Sequence, residues 1–139
     1  MQFEQAITIN APIETVYALY VDVNNWNTWD PDVKHSSIEG EFIAGAKGRL
    51  IPTKGPKANI EFVQIVPSRS FTVESKLPFC TLWFEHEITE YDRDTTSVLH
   101  RVKFTGFLAP LFGSVVGSQI QKGLPNTLSG LKRAAENND

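Results

Sequence analysis

Between Val33 and Phe107 the chain alternates apolar and polar residues in short runs separated by turn-forming residues, and helical periodicity is confined to the segments on either side. A single antiparallel sheet of that size has one greasy face and one long helix to cover it. If such a sheet curls around the helix, the gap between them becomes a closed apolar cavity. The pattern describes a container before it describes any contents.

The punctuation within the block is Gly40, Gly45 to Gly48, Lys54-Gly55-Pro56, Pro67-Ser68, Pro78 and Asp92-Arg93-Asp94. The runs between these marks predict strands over Val33–Glu41, Gly48–Ile51, Lys57–Val66, Ser70–Leu77, Thr81–Tyr91 and Thr96–Phe107, joined as an antiparallel meander. Phe3–Ile9 reads as a first strand. Asn10-Ala11-Pro12 then opens a helix with Pro12 at its first position, and Ile13, Val16, Tyr17 and Tyr20 form its apolar face. Asp22–Asn27 reads as a second short helix or turn, and Asp30-Pro31 ends it.

The tail predicts a helix from about Leu111 to Ala135. Leu111, Val115, Leu124, Leu128, Leu131 and Ala135 recur at helical spacing, with Phe112, Val116 and Ile120 widening the stripe. Gly113, Gly117, Gly123, Gly130 and Pro125 each lower helix propensity, so a kink or break is expected near Pro125. The glycines read first as points of close packing on the sheet, and second as a loosened segment that admits a ligand. Glu136 to Asp139 read as a frayed end. The fold class expected is α+β: a curved antiparallel sheet of six or seven strands around a long C-terminal helix, with two short helices after the first strand.

Composition narrows the function classes. The 139 residues suit one domain. The 16 acidic and 13 basic side chains include no basic cluster, which argues against nucleic acid as a partner. The greasiest stretch, Leu108 to Val116, is interrupted by Pro110, Gly113 and Ser114 and is too short to span a bilayer. Met1-Gln2-Phe3-Glu4-Gln5 lacks the basic and apolar regions of a secretion signal. Cys80 is the only cysteine, which excludes an internal disulfide and suits a reducing compartment. These features predict a soluble cytoplasmic protein, monomer or homodimer, with no membrane-embedded segment.

The late hairpin holds the most informative side chains. Pairing Tyr91 with Thr95 around Asp92-Arg93-Asp94 places Ile88 opposite Val98, His86 opposite His100, Phe84 opposite Val102 and Leu82 opposite Phe104, all on one apolar face. The other face receives Glu85 opposite Arg101 and Trp83 opposite Lys103. Two histidines therefore face each other on the inner wall. They read as core imidazoles bonded to each other or to a tyrosine, or as a polar anchor or acid/base pair in a greasy pocket. A third ligand is missing from their face and His35 lies on a distant strand, so no metal site is expected. Trp26 and Trp29 are spaced for one face of a helical turn, where they read as a plug for one end of the core or as the mouth or wall of a cavity. Asp30, Asp32 and Glu39 read as solvated charges, and Cys80 as a packing residue. Gly113-Ser114-Val115-Val116-Gly117 is not a nucleophile elbow, and the loops at Gly45 and Gly55 lack phosphate-loop spacing, so no cofactor is expected.

Three stretches carry a family likeness: Ile9 to Tyr17, Trp26-Asn27-Thr28-Trp29-Asp30-Pro31, and Gly123-Leu124-Pro125-Asn126-Thr127-Leu128. Together with Trp83-Phe84-Glu85-His86 and His100-Arg101-Val102, their order resembles the START-like, helix-grip superfamily, which includes the birch-pollen-allergen-like proteins, and within it the polyketide cyclase/dehydrase-like group. The resemblance covers nearly the whole chain and implies a helix-grip fold with an apolar cavity. It does not imply a reaction. The expected function is binding or transport of a small hydrophobic ligand of lipid, polyketide or aromatic type. Its expected lining is Trp29, Phe62, Phe71, Phe84, His86, Ile88, His100, Val102, Phe104, Phe112, Val116 and Ile120. The alternatives are a cyclase- or dehydratase-like enzyme with His86 and His100 as acid and base, or a regulatory protein-interaction module.

Overall fold

A computed structural model describes residues 1–137. Seven strands form one antiparallel sheet: β1 (Gln2–Ile9), β2 (Val33–Ile38), β3 (Lys47–Pro52), β4 (Ala58–Val66), β5 (Ser70–Leu77), β6 (Cys80–Asp92) and β7 (Thr95–Thr105). The spatial order is β1-β7-β6-β5-β4-β3-β2, a meander whose first strand returns to pair with the last. Helix α1 (Ile13–Val21) and a 3₁₀ segment (Val23–Thr28) follow β1, and α2 (Ala109–Glu136) closes the chain. The sheet curls as a half-barrel around α2, which packs against β1, β7, β6 and α1.

Each boundary has a local cause. Pro12 is extended (φ −62°, ψ 152°) and precedes α1, one residue earlier than its expected place inside the helix; its carbonyl accepts from Thr15 and Val16. The hairpin between β6 and β7 is tighter than expected. Asp92 pairs with Thr95 across a two-residue turn at Arg93-Asp94, and a bulge at Tyr91 restores the register beyond it. The Asp92 carboxylate accepts from the Asp94 N–H at 2.9 Å and fixes that turn.

Helix α2 runs unbroken for 28 residues, so the break expected at Pro125 does not occur. Pro125 and Gln121 both face solvent, where water can satisfy the carbonyl that the missing proline N–H leaves free. The glycines serve packing: Gly113, Gly117, Gly123 and Gly130 are all buried. At Gly130 any side chain would collide with the Trp29 carbonyl, so the helix can lie on the Trp26–Pro31 segment only because that residue is glycine. Glu136 is tied down rather than frayed, accepting from Lys132 Nζ and from the Asn10 N–H. The rest of the expected frayed end, beyond residue 137, lies outside the described residues.

Two apolar clusters fill the concave side. The first lies under α1 and the 3₁₀ segment and joins Tyr20, Trp26, Trp29, Phe62, Phe71, Ile88 and Val98 to Leu128 and Leu131 of α2. The second joins Cys80, Leu82, Val102 and Phe104 to Ala109 and Leu124, with Phe112, Val116 and Ile120 half-buried around it. Phe84 packs against both.

Candidate functional site: a desolvated imidazole pair

The inner row of β7 runs Thr96, Val98, His100, Val102, Phe104, and that of β6 runs Leu82, Phe84, His86, Ile88. His86 stands opposite His100, and both lie where the first cluster gives way to the second. The register deduced from hydrophobic alternation is the one observed, including Glu85 opposite Arg101 and Trp83 opposite Lys103 on the outer face. There Arg101 is clasped by Glu4, Glu85 and Glu87 at 2.7–3.0 Å, which locks β1, β7 and β6 together.

His100 is buried, and its Nε2 lies 2.6 Å from the Tyr20 hydroxyl. The His86 ring lies 4.6 Å from the His100 ring, edge to face, and stacks on Phe71 at 3.9 Å and 7°. Nδ1 of His86 is 3.2 Å from the Phe71 carbonyl. A carbonyl only accepts, so that nitrogen carries the proton of the neutral ring and Nε2 presents a lone pair. Among the described residues no protein group bonds that Nε2.

Burial sets the electrostatics. It drives His100 well below the ordinary histidine range, and the neighbouring His86 drives it further. Burial also lowers His86, to about 4, against the opposing hydrogen bond to the Phe71 carbonyl and the charge of Glu85. Tyr20 is pushed well above the usual phenol value by burial and then by the Asp30 charge. At neutral pH the tyrosine and both imidazoles are uncharged.

Asp30 is not the solvated charge that its place in the sequence suggests, because it is largely buried against Thr127. Burial raises its carboxyl to about 6, despite bonds to Oδ1 from the Asp32 N–H (3.0 Å) and the Thr127 hydroxyl (2.9 Å). Thr127 was the available signal, a hydroxyl on the buried face of an apolar helix. Trp29 sits beside Tyr20 with ring centroids 5.9 Å apart, and its buried indole N–H has no partner among the described residues. Trp26, by contrast, donates to the Tyr20 carbonyl at 2.9 Å.

The residues expected to line one cavity divide between the clusters. Trp29, Phe62, Phe71 and Ile88 belong to the first, and Val102, Phe104, Phe112, Val116 and Ile120 to the second. His86, His100 and Phe84 lie between them. A groove of about 830 Å³ opens beside the β4–β5 turn at Pro67, Ser68 and Arg69. The first turn of α1 and the overhanging end of β6 form its other walls, and its lining is mainly polar. Of the expected lining only His86 and Ile88 reach it, so His86 connects the apolar interior with the outside. Cys80 is buried and its thiol is raised by that burial, which suits packing. Among the described residues no helix is long and apolar enough to cross a membrane.

Solved structures repeat this architecture. A START superfamily protein from Mycobacterium smegmatis superposes with a TM-score of 0.79 at 14% identity, with 97% of each chain covered. Norcoclaurine synthase from Thalictrum flavum, in complex with dopamine and hydroxybenzaldehyde, gives 0.76 at 10% identity over 100% of this chain and 88% of that one. The di-domain ARO/CYC BexL from the BE-7585A biosynthetic pathway gives 0.75 at 16% identity over 100% of this chain and 51% of that one. Identities this low establish the fold alone. A search of curated proteins finds no match. Residues 1–136 match the family described as "Polyketide cyclase / dehydrase and lipid transport", and this chain is a member of that family.

Proposed function

We propose that this protein binds or carries a small hydrophobic molecule of lipid, polyketide or aromatic type, held between the sheet and α2 with its polar end at His86. The observation that carries this reading is the lone pair of His86 Nε2, left without a protein partner at the boundary between an apolar interior and an open groove. A lone pair that no protein group engages can accept from a ligand hydroxyl. Phe71, stacked on His86, and Phe84, which touches both clusters, would flank such a ligand. Native mass spectrometry of the purified chain should find a co-purifying small molecule. An environment-sensitive apolar dye should bind and be displaced by fatty or aromatic compounds. Phe84→Glu or Ile120→Glu should abolish dye binding in protein that still gives a cooperative unfolding transition; unaltered dye binding in both would sink the proposal.

A cyclase- or dehydratase-like reaction is the second reading, favoured by the 2.6 Å contact between the Tyr20 hydroxyl and His100. It faces an electrostatic obstacle. A general acid or base works best near its operating pH, whereas both imidazoles are held far below neutrality. Turnover would require the ligand to raise one of them.

A further inference from the structure

One end of the half-barrel is built differently from the rest of the surface. The β5–β6 hairpin turns there at Pro78-Phe79, and the β7–α2 connection passes beside it at Gly106-Phe107. Phe79 is 75% exposed and Phe107 86% exposed. Phe79 has φ +57°, a left-handed backbone that a phenylalanine adopts only at a cost. The arrangement is held in place: the Phe79 carbonyl accepts from the Leu108 N–H at 2.9 Å. Gly106, at φ +109°, allows this approach, since a Cβ there would stand 2.7 Å from that same carbonyl. Two loops are thus fused so that two aromatic rings project together into solvent. The first turns of α2 extend the patch. They turn small residues, Ala109, Gly113 and Gly117, toward the sheet and leave Leu111 and Val115 outside.

Charge is distributed to match. The segments 50–60, 75–84 and 102–121 that meet at this end contain no Asp or Glu, and their charges are Lys54, Lys57, Lys76 and Lys103. Lys103 is engaged with Glu85 at 3.1 Å, and Lys76 meets Glu74 only at 3.7 Å. Asp30 and Asp32 also lie near this end, but their carboxylates turn inward to Thr127. The hairpin loops at the opposite end, 39–46, 67–69 and 91–94, hold Glu39, Glu41, Asp92 and Asp94 against Arg69 and Arg93. Although the chain has a net charge of −3, its apolar end is rimmed by lysine.

We propose that this end docks on a lipid surface bearing anionic headgroups, with Phe79 and Phe107 inserted among the acyl chains and Lys54, Lys57 and Lys76 at the phosphates. Protruding apolar side chains with a basic rim suit a bilayer interface, where lysine stems extend toward the headgroups. A second copy of this chain is the poorer occupant, because two lysine-rimmed ends meeting face to face would repel. The proposal goes beyond interior binding and does not depend on what the interior holds.

Flotation of the full chain with vesicles of phosphatidylcholine, alone or mixed with phosphatidylserine, tests it. The chain should float with the mixed vesicles, and more weakly at high salt. Phe79→Ser combined with Phe107→Ser should weaken partitioning about tenfold or more, and Lys54→Glu with Lys57→Glu about tenfold on the mixed vesicles. Both positions in the first variant are exposed, so its unfolding midpoint and its binding of the apolar dye should match the parent chain. Loss of flotation with intact dye binding therefore separates surface docking from interior binding. The proposal is overturned if the parent chain floats with neither vesicle, or if both variants float as it does. It is also overturned if sedimentation shows a dimer that the Phe79/Phe107 variant dissolves while vesicle binding is unchanged.

Discussion

Replacing Asp30 by asparagine should stabilise this protein at neutral pH and make no difference in acid. The carboxyl is raised from 3.8 to about 6 by burial, and among the described residues no basic side chain pairs with it. A group whose folded value lies above its unfolded value binds protons more readily when folded. Stability therefore falls as pH rises from about 4 to about 6, and the full penalty applies above that window. At about 1.4 kcal/mol per pKa unit, the penalty at pH 7 is about 2–3 kcal/mol. Asparagine avoids it and keeps Oδ1 as acceptor for the Asp32 N–H and the Thr127 hydroxyl. Urea unfolding of both proteins across pH 4 to 8 measures the difference. Both carry the same histidines, so subtraction cancels their titration. The variant should gain about 2–3 kcal/mol at pH 8, with the gain vanishing toward pH 4. In a chain of this size each kcal/mol should appear as roughly 2–5 °C in Tm. A variant less stable at pH 8, or a difference independent of pH, would refute the view that Asp30 is a desolvated, unpaired charge.

Tyr20→Phe deletes the hydroxyl that meets His100 Nε2 and should cost about 1–2 kcal/mol in denaturant unfolding, most of it from the stranded imidazole nitrogen. In NMR titrations His86 and His100 should remain neutral well below pH 6.5 and titrate as a coupled pair. Their folded values are depressed, so their contribution to stability is present above the unfolded value near ~6.5 and is lost as pH falls toward about 4. Two independent titrations near ~6.5 would place the rings in solvent. Gly130→Ala should cost about 1–3 kcal/mol, read as a lowered urea midpoint, because the added methyl meets a backbone carbonyl that cannot swing aside.

Much of this architecture is legible in the chain because sheet register is a period-two property. Alternation from Leu82 to Ile88 and from Val98 to Phe104 fixes which side chains share a face, and the observed pairing of His86 with His100 follows. The bulge at Tyr91 escapes such reasoning, because it shifts the turn by one residue without altering either face. Pro125 misleads for a related reason. Propensity sees a broken hydrogen bond but not that the freed carbonyl faces water. Asp30 is missed because only the fold brings Thr127, 97 residues away, against it. Tyr20 is legible as an apolar-face residue of α1, but its bond to His100 spans 80 residues of sequence.

The strand order also governs how the chain reaches this state. Every pairing from β2 through β7 joins neighbours in sequence, whereas β1 pairs with β7, Gln2 opposite Lys103 and Ile9 opposite Thr96. During synthesis the meander can zip hairpin by hairpin while β1 has no partner until nearly the whole chain has emerged. Closing so long a loop costs entropy that no local contact offsets. The first strand made is then among the last to dock. Folding rate should be governed by β1–β7 contacts such as Ile7 against Val98, so Ile7→Ala should slow refolding more than an equally destabilising substitution in the β4–β5 hairpin.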